Sequence, residues 1–236
     1  MRVFRFIIGL LLLPACAAAT LALLHLIKAI PTTSQWLIPA PALALTAGFV
    51  LWLGLFALLP PAVRAYILAH ELTHALWGMA FGARVENLNV SKNGGSVTLS
   101  KNNFLITLAP YFFPLYTVLV VAAYFVVSLF FDLRPWRLLW LGLTGFTWGL
   151  HFTFTMSSLR EHQTDIQSCG HLFSYVAIYI LNIAGITAWI VLVSDLTIRQ
   201  FAHWWGHDLF LAYWDVWKWG VTLYNKMASL FVIRIR

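Results

Sequence analysis

Charge is scarce in this chain. Of its 236 residues 10% are charged and 61% are hydrophobic, and the mean hydropathy is +0.81. Polar residues this few, and gathered in clusters, exclude an ordinary soluble domain and define a polytopic membrane protein. Acidic residues are the rarer kind, 8 against 15 Lys and Arg, for a formal charge of +7. In a soluble protein that excess would point to nucleic acid. Here the Lys and Arg residues flank apolar runs, as membrane anchors do, so no nucleic-acid role follows. Cysteine is almost missing: Cys16 and Cys169 stand far apart with no C-x-x-C pair, which excludes a disulfide framework. Room is short as well. A chain of this length holds about six spanning helices of about 20 residues and no further soluble domain of ordinary size.

What is present is a series of apolar runs. The first covers residues 4–27 behind Arg2 and Arg5. A cleaved signal peptide has that charge pattern, and Leu13-Pro14-Ala15-Cys16 faintly resembles a lipoprotein cleavage site. The run continues past Cys16 to spanning length, so an uncleaved first helix is expected. A short polar turn at 31–35 leads to a second run, 36–59, closed by Pro60-Pro61, and a third covers 62–81. From 82 to 103 the pattern changes to short extended stretches, 85–90 and 96–100, around Lys92-Asn93-Gly94-Gly95, which is a β-hairpin signal. The fourth run, 105–131, carries Ala109-Pro110 and Pro114 near its start and should be kinked or irregular there. The fifth and sixth cover 136–159 and 172–193. The expected fold class is an all-α polytopic membrane protein of about six transmembrane helices, with a short membrane-associated β-hairpin after the third.

Residues 199–236 are rich in Trp and Tyr but interrupted by His203, His207, Asp208, Asp215, Lys218 and Lys226. That mixture fits a helix lying in the interface, with its rings at headgroup depth, better than a span. The expected organisation is thus a membrane-embedded domain, 1–198, followed by an interfacial segment, 199–236. His203 and His207 are four apart and offer a second metal pair by spacing alone, with no third ligand in view. Six spans put both termini on one side. Placing Arg2, Arg5, Arg64, Arg134, Arg137, Arg199 and the tail cations in the cytoplasm leaves Lys28, Arg84, Lys92, Lys101 and Arg160 opposite, so both ends are expected to be cytoplasmic.

The third run contains His70-Glu71-Leu72-Thr73-His74. Residues four apart lie one turn apart on the same helix face, so both imidazoles can reach one ion while Glu71 points toward a ligand of that ion. H-E-x-x-H is the first half of a zinc peptidase site. Two histidines and a carboxylate inside an apolar helix need a shared reason to be there, and a metal supplies one.

A hydrolytic zinc site usually has three protein ligands plus water, so one ligand is still missing. The continuation Ala75-Leu76-Trp77-Gly78-Met79-Ala80 lacks the third histidine of the metzincin extension and excludes that class. The next polar cluster of suitable chemistry is Arg160-Glu161-His162-Gln163-Thr164-Asp165, between the fifth and sixth runs, with Cys169 and His171 just beyond. From the residues alone Asp165, Glu161, His162 and Cys169 all stand as candidates, and an ordinary polar connecting loop accounts for the same stretch.

Taken in order, His70 to His74, Gly82-Ala83-Arg84-Val85, the Gly94-Gly95 hairpin, Ala109-Pro110 and Asp165 resemble a site-2 protease, an intramembrane zinc metalloprotease of the M50 kind. The likeness covers about residues 62–195. It implies zinc held by His70, His74 and Asp165, with Glu71 as general base. Familiar members carry the third ligand in an N-x-x-P-x-x-x-x-D-G pattern. Here the chain reads Leu159-Arg160-Glu161-His162-Gln163-Thr164-Asp165-Ile166-Gln167, with no Asn, Pro or Gly at those places, so Asp165 rests on order and spacing. The resemblance is to a divergent, minimal member with neither a PDZ domain nor an appended nucleotide-sensing domain, multi-pass in a bacterial inner membrane.

The same resemblance implies a substrate: a single-span membrane protein or signal-peptide-like helix, cut within the lipid bilayer. Its scissile carbonyls are hidden in helical hydrogen bonds, so it must unwind, and the 96–100 strand offers an edge that can hold it by strand addition. Water needs a polar cleft, expected among the third, fourth and fifth spans. Asp165 follows the fifth run by several residues while the histidines lie mid-helix, so residues 157–165 must stay inside the protein or re-enter the bilayer. The competing reading is a zinc-binding membrane protein without proteolysis, a carrier or an inactive scaffold. Glu71 discriminates between them, because a carrier has no use for a carboxylate poised beside the metal.

Overall fold

The computed structural model describes residues 2–30, 40–60, 63–91, 94–161, 163–194 and 196–234. The expected turn at 31–35, the start of the second run, the hairpin tip at Lys92 and Asn93, and the ligand candidate His162 lie outside the described residues. Two compact units make up the chain, Met1–Thr32 with Gly170–Arg236, and Thr33–Cys169.

The first unit consists of α1 (Arg2–Lys28), α8 (His171–Val193) and α9 (Ile198–Arg234). Its core joins Ala19, Ala22, Leu23 and Leu26 of α1 to Ile183, Leu196 and Phe201. A Cβ on Gly9 would lie 2.9 Å from the Phe173 amide nitrogen, so α1 and α8 meet almost backbone to backbone. Polar groups are few and pinned: Thr20 Oγ1 and Tyr179 Oη lie 2.6 Å apart, and Tyr213 donates to the Leu11 carbonyl at 2.6 Å.

The second unit contains α2 (Ala40–Leu58), α3 (Val63–Ala80), the strands β1 (Val85–Ser91) and β2 (Gly94–Leu99), then α4 (Phe104–Phe112), α5 (Leu115–Ser128), α6 (Arg137–Arg160) and α7 (Thr164–Cys169). Small residues let α2 and α6 cross in direct contact: a Cβ on Gly48 would sit 1.9 Å from the Gly142 carbonyl oxygen, and one on Gly145 1.9 Å from that of Leu45. Trp52 Nε1 then ties α2 to Thr153 Oγ1 on α6 at 2.8 Å. α3, made largely of Ala, Leu, Ile and Met, follows the two prolines and runs without a break. It ends in a Schellman cap. Gly82 takes φ +73°, Ala83 N–H reaches the Gly78 carbonyl at 2.8 Å, and Gly82 N–H reaches that of Met79 at 2.9 Å. The hairpin follows at once as an antiparallel pair, Ser91 opposite Gly94 and Val85 opposite Leu99, with an irregularity between Val85 and Asn87.

The expected irregularity at the fourth run is a sharp bend. Asn103 caps α4 by accepting from the Ile106 amide at 2.9 Å, and Pro114 separates α4 from α5, which turn 75° from each other. Among the described residues, three helices are long and apolar enough to cross a membrane, Val3–Lys28, Ala40–Leu58 and His171–Val191, or four if the bent pair is one span. Six spans were expected. The two runs that fall short form helices, but α3 carries Arg64, His70, Glu71 and His74, and α6 carries Arg137, His151, Arg160 and a series of Thr and Ser residues. Their polar load lowers their hydropathy for the same reason that makes them interesting. Elsewhere large apolar side chains stand in the open, such as Leu58 at 83% and Leu129 at 78% exposure, a surface suited to lipid rather than water. The chain is an integral membrane protein.

Candidate metal centre

α3 sets the two imidazoles one turn apart, and their Nε2 atoms come within 3.3 Å of each other. α6 stays helical through Arg160, Gln163 N–H reaches the Glu161 carbonyl at 3.0 Å, and the short α7 brings Asp165 back toward α3. Ile166 and Cys169, 2% and 3% exposed, anchor α7 in the interior. The Asp165 carboxylate therefore arrives at the depth of the histidines. Its Oδ2 lies 3.3 Å from His70 Nε2 and 3.4 Å from His74 Nε2. These three donors can hold a metal ion. Zinc bonds of 2.0–2.1 Å in a tetrahedron require donors about 3.3–3.4 Å apart, so the near-equilateral triangle fits zinc without rearrangement.

Each donor residue has a further neighbour. His74 Nδ1 stands 2.8 Å from the Ile106 carbonyl oxygen. A carbonyl only accepts, so Nδ1 carries the proton and the Nε2 lone pair is left facing the triangle. That carbonyl is free for a local reason: its helical partner four residues on is Pro110, which has no N–H to give. Tyr111, wholly buried, donates its hydroxyl to Asp165 Oδ2 at 3.1 Å. Tyr66 Oη lies 3.3 Å from His70 Nδ1 and is hydrogen-bonded to Ser158 Oγ.

Glu71 is 9% exposed and borders a cavity of about 510 Å³ together with His70. The walls come from Phe56 of α2, Tyr66 and Ile67 of α3, Gly94 and Gly95 of β2, and Phe154 and Ser158 of α6, with Glu161 and Gln163 also lining it. Of the walls expected, the third and fifth spans (α3 and α6) line the cavity, while the fourth (α4 and α5) does not, and α2 and β2 stand in its place. β2 lies so close to α3 that a Cβ on Gly95 would stand 2.5 Å from Glu71 Cγ. Only glycine leaves the Glu71 side chain its room there.

Of the residues singled out in the sequence, His70, His74 and Asp165 come together. Glu161 lines the cavity but is not one of the three grouped donors, and buried Cys169 contacts Ser168 Oγ through its Sγ at 3.9 Å. Among the described residues no second group of three donors accompanies His203 and His207. Tyr66, Tyr111, Ser158 and the Ile106 carbonyl are absent from the sequence reading. Tyr66 alone carried a usable signal, standing four residues before His70 on the same helix face.

Residues 41–147 match the family described as Peptidase M50B-like, a stretch that contains the H-E-x-x-H helix, the hairpin and the bent pair and ends before Asp165. No curated protein and no solved structure matches the chain.

Proposed function

We propose, from the match of residues 41–147 to the M50B-like peptidase family, that the chain is an intramembrane zinc metalloprotease of that kind, which hydrolyses peptide bonds within membrane-embedded helices. The observation that carries the reading is the donor triangle of His70, His74 and Asp165, sized for zinc and bordered by a cavity that also takes in Glu71. Zinc, when bound, polarises a peptide carbonyl and makes water acidic enough to deprotonate near neutral pH.

The chain's own residues do the rest. His70 and His74 present Nε2, and Asp165 presents Oδ2. Glu71 takes the proton from the attacking water and passes it to the leaving nitrogen. The cavity admits an unwound peptide past Phe56, Ile67 and Phe154, whose apolar faces suit a segment drawn out of lipid. β2 belongs to a two-stranded sheet and so has an unpaired edge, and Gly94 and Gly95 bring that strand to the cavity wall. Strand addition on it would hold the substrate backbone extended at Glu71. The substrate we propose is a single-span or signal-peptide-like helix, and the setting a bacterial cytoplasmic membrane.

The test is Glu71→Gln, assayed beside the wild type for zinc content and for cleavage of a co-expressed panel of single-span proteins. The variant should keep its zinc and lose cleavage by at least about 10²–10⁴-fold. Wild-type protein that binds zinc and cuts no member of a broad panel would favour the non-proteolytic, metal-binding reading.

A further inference from the structure

Resting on the zinc site just proposed, we infer that Tyr66 and Ser158 form a positioning relay that fixes the His70 ring with Nε2 toward the metal. Three observations converge on it. His70 has Nε2 in the donor triangle, so its other nitrogen, Nδ1, must carry the proton and needs an acceptor. The neighbour of that nitrogen is the Tyr66 hydroxyl, 3.3 Å away, one turn earlier on the same helix face. The Tyr66 hydroxyl is in turn hydrogen-bonded to Ser158 on α6.

The direction of the chain of hydrogen bonds follows from the ring. With Nδ1–H donating to Tyr66 Oη, the phenol proton is free to donate to Ser158 Oγ. The phenol cannot swing away easily, because its ring stacks on Phe154 at 4.6 Å between centroids and 12° between planes. Ser158 is buried at 3% exposure and stands seven residues ahead of Asp165. The relay thus links the helix that carries both histidines to the segment that delivers the third donor. His74 needs no such device, since the Ile106 carbonyl already sets its tautomer. A relay of side chains, unlike a carbonyl, can be removed by substitution, which makes it testable.

The experiment measures zinc affinity by chelator competition on purified, full-length protein, and records the visible spectrum of the cobalt(II)-loaded form. Tyr66→Phe keeps the ring and its stacking on Phe154 and removes only the hydroxyl. It should weaken zinc binding about 10–100-fold and shift the cobalt ligand-field bands. Ser158→Ala should cause a loss in the same direction, and adding it to Tyr66→Phe should cost little more. Tyr116→Phe is the control. That tyrosine also hydrogen-bonds in this unit, to the Ala65 carbonyl at 2.7 Å, without touching a donor residue. It should leave affinity and spectrum unchanged. Wild-type affinity in Tyr66→Phe, or an equal loss in Tyr116→Phe, overturns the relay while leaving the zinc site standing. A wild-type protein that binds no zinc overturns the proposed function, and the relay with it.

Discussion

In the unit built from α2 to α7, one carboxylate oxygen, Asp165 Oδ2, stands 3.3 Å from His70 Nε2 and 3.4 Å from His74 Nε2. In the unit built from α1, α8 and α9, the oxygens of Asp208 divide the work: Oδ2 is 3.3 Å from His25 Nδ1 and Oδ1 is 3.3 Å from His207 Nδ1. The residue types are the same, two histidines and an aspartate, but His25 and His207 are 43% and 62% exposed where His70 and His74 are 11% and 10%. The outcomes differ because of helical spacing. His70 and His74 are four apart on one helix and point the same way, whereas His25 and His207 stand on different helices and reach different oxygens of Asp208. Convergence of three donors on one point is what a metal requires. Two oxygens that each face a different imidazole make two separate polar contacts, one of them between α1 and α9.

The largest effect that separates the two regions is loss of zinc. His74→Ala should fall from one zinc per chain to none and lose all cleavage, while His207→Ala keeps its zinc in full; metal analysis of both purified variants decides it. Zinc loss in His207→Ala would break the contrast.

A smaller effect sharpens what sets the converging site apart. Pro110→Ala returns an N–H to α4 that competes for the Ile106 carbonyl, so His74 should hold its tautomer less firmly and zinc affinity should fall about tenfold. Pro114→Ala, at the bend and away from that carbonyl, should leave the affinity alone. Chelator competition on the two variants reads the difference.

The smallest effect is expected in the other unit. Asp208→Asn alters contacts to two substantially exposed histidines and should lower the stability of that unit by no more than about 1 kcal/mol, seen as a small drop in thermal midpoint, with zinc content and cleavage at wild-type levels. A loss of cleavage in Asp208→Asn would tie the second constellation to the chemistry after all.

The parts of the site that were legible in the sequence are those encoded by local spacing. H-E-x-x-H announced a helix face with two donors, the run Lys92-Asn93-Gly94-Gly95 between two extended stretches announced the hairpin, and Pro110 and Pro114 announced the irregular fourth run. Asp165 was legible through chain order, although its surroundings lack the Asn, Pro and Gly that mark it in the family. What stayed hidden is what depends on packing between distant segments. Pro110 reads as a kink; that it also frees the Ile106 carbonyl for His74 requires α4 to lie against α3. Tyr111 reaches Asp165, and Ser158 reaches Tyr66, only because α4 and α6 pack around α3, and nothing in their neighbourhoods says so. The cleft has α3 and α6 among its walls as expected, but β2 against Glu71 takes part where the fourth span was expected, which a hairpin signal does not tell. Counting spans from apolar runs treated α3 and α6 like the rest, although their polar residues set them apart from the helices of simple crossing composition.

The central claim is that one zinc is held by two imidazoles and a carboxylate, and zinc-edge X-ray absorption on the purified protein tests it most directly. The expected first shell is nitrogen and oxygen only, at about 2.0–2.2 Å, with the outer-ring scattering of two imidazoles. A sulfur scatterer near about 2.3 Å, or the signature of a single imidazole, would place Cys169 or another residue in the shell and contradict the assignment of His70, His74 and Asp165.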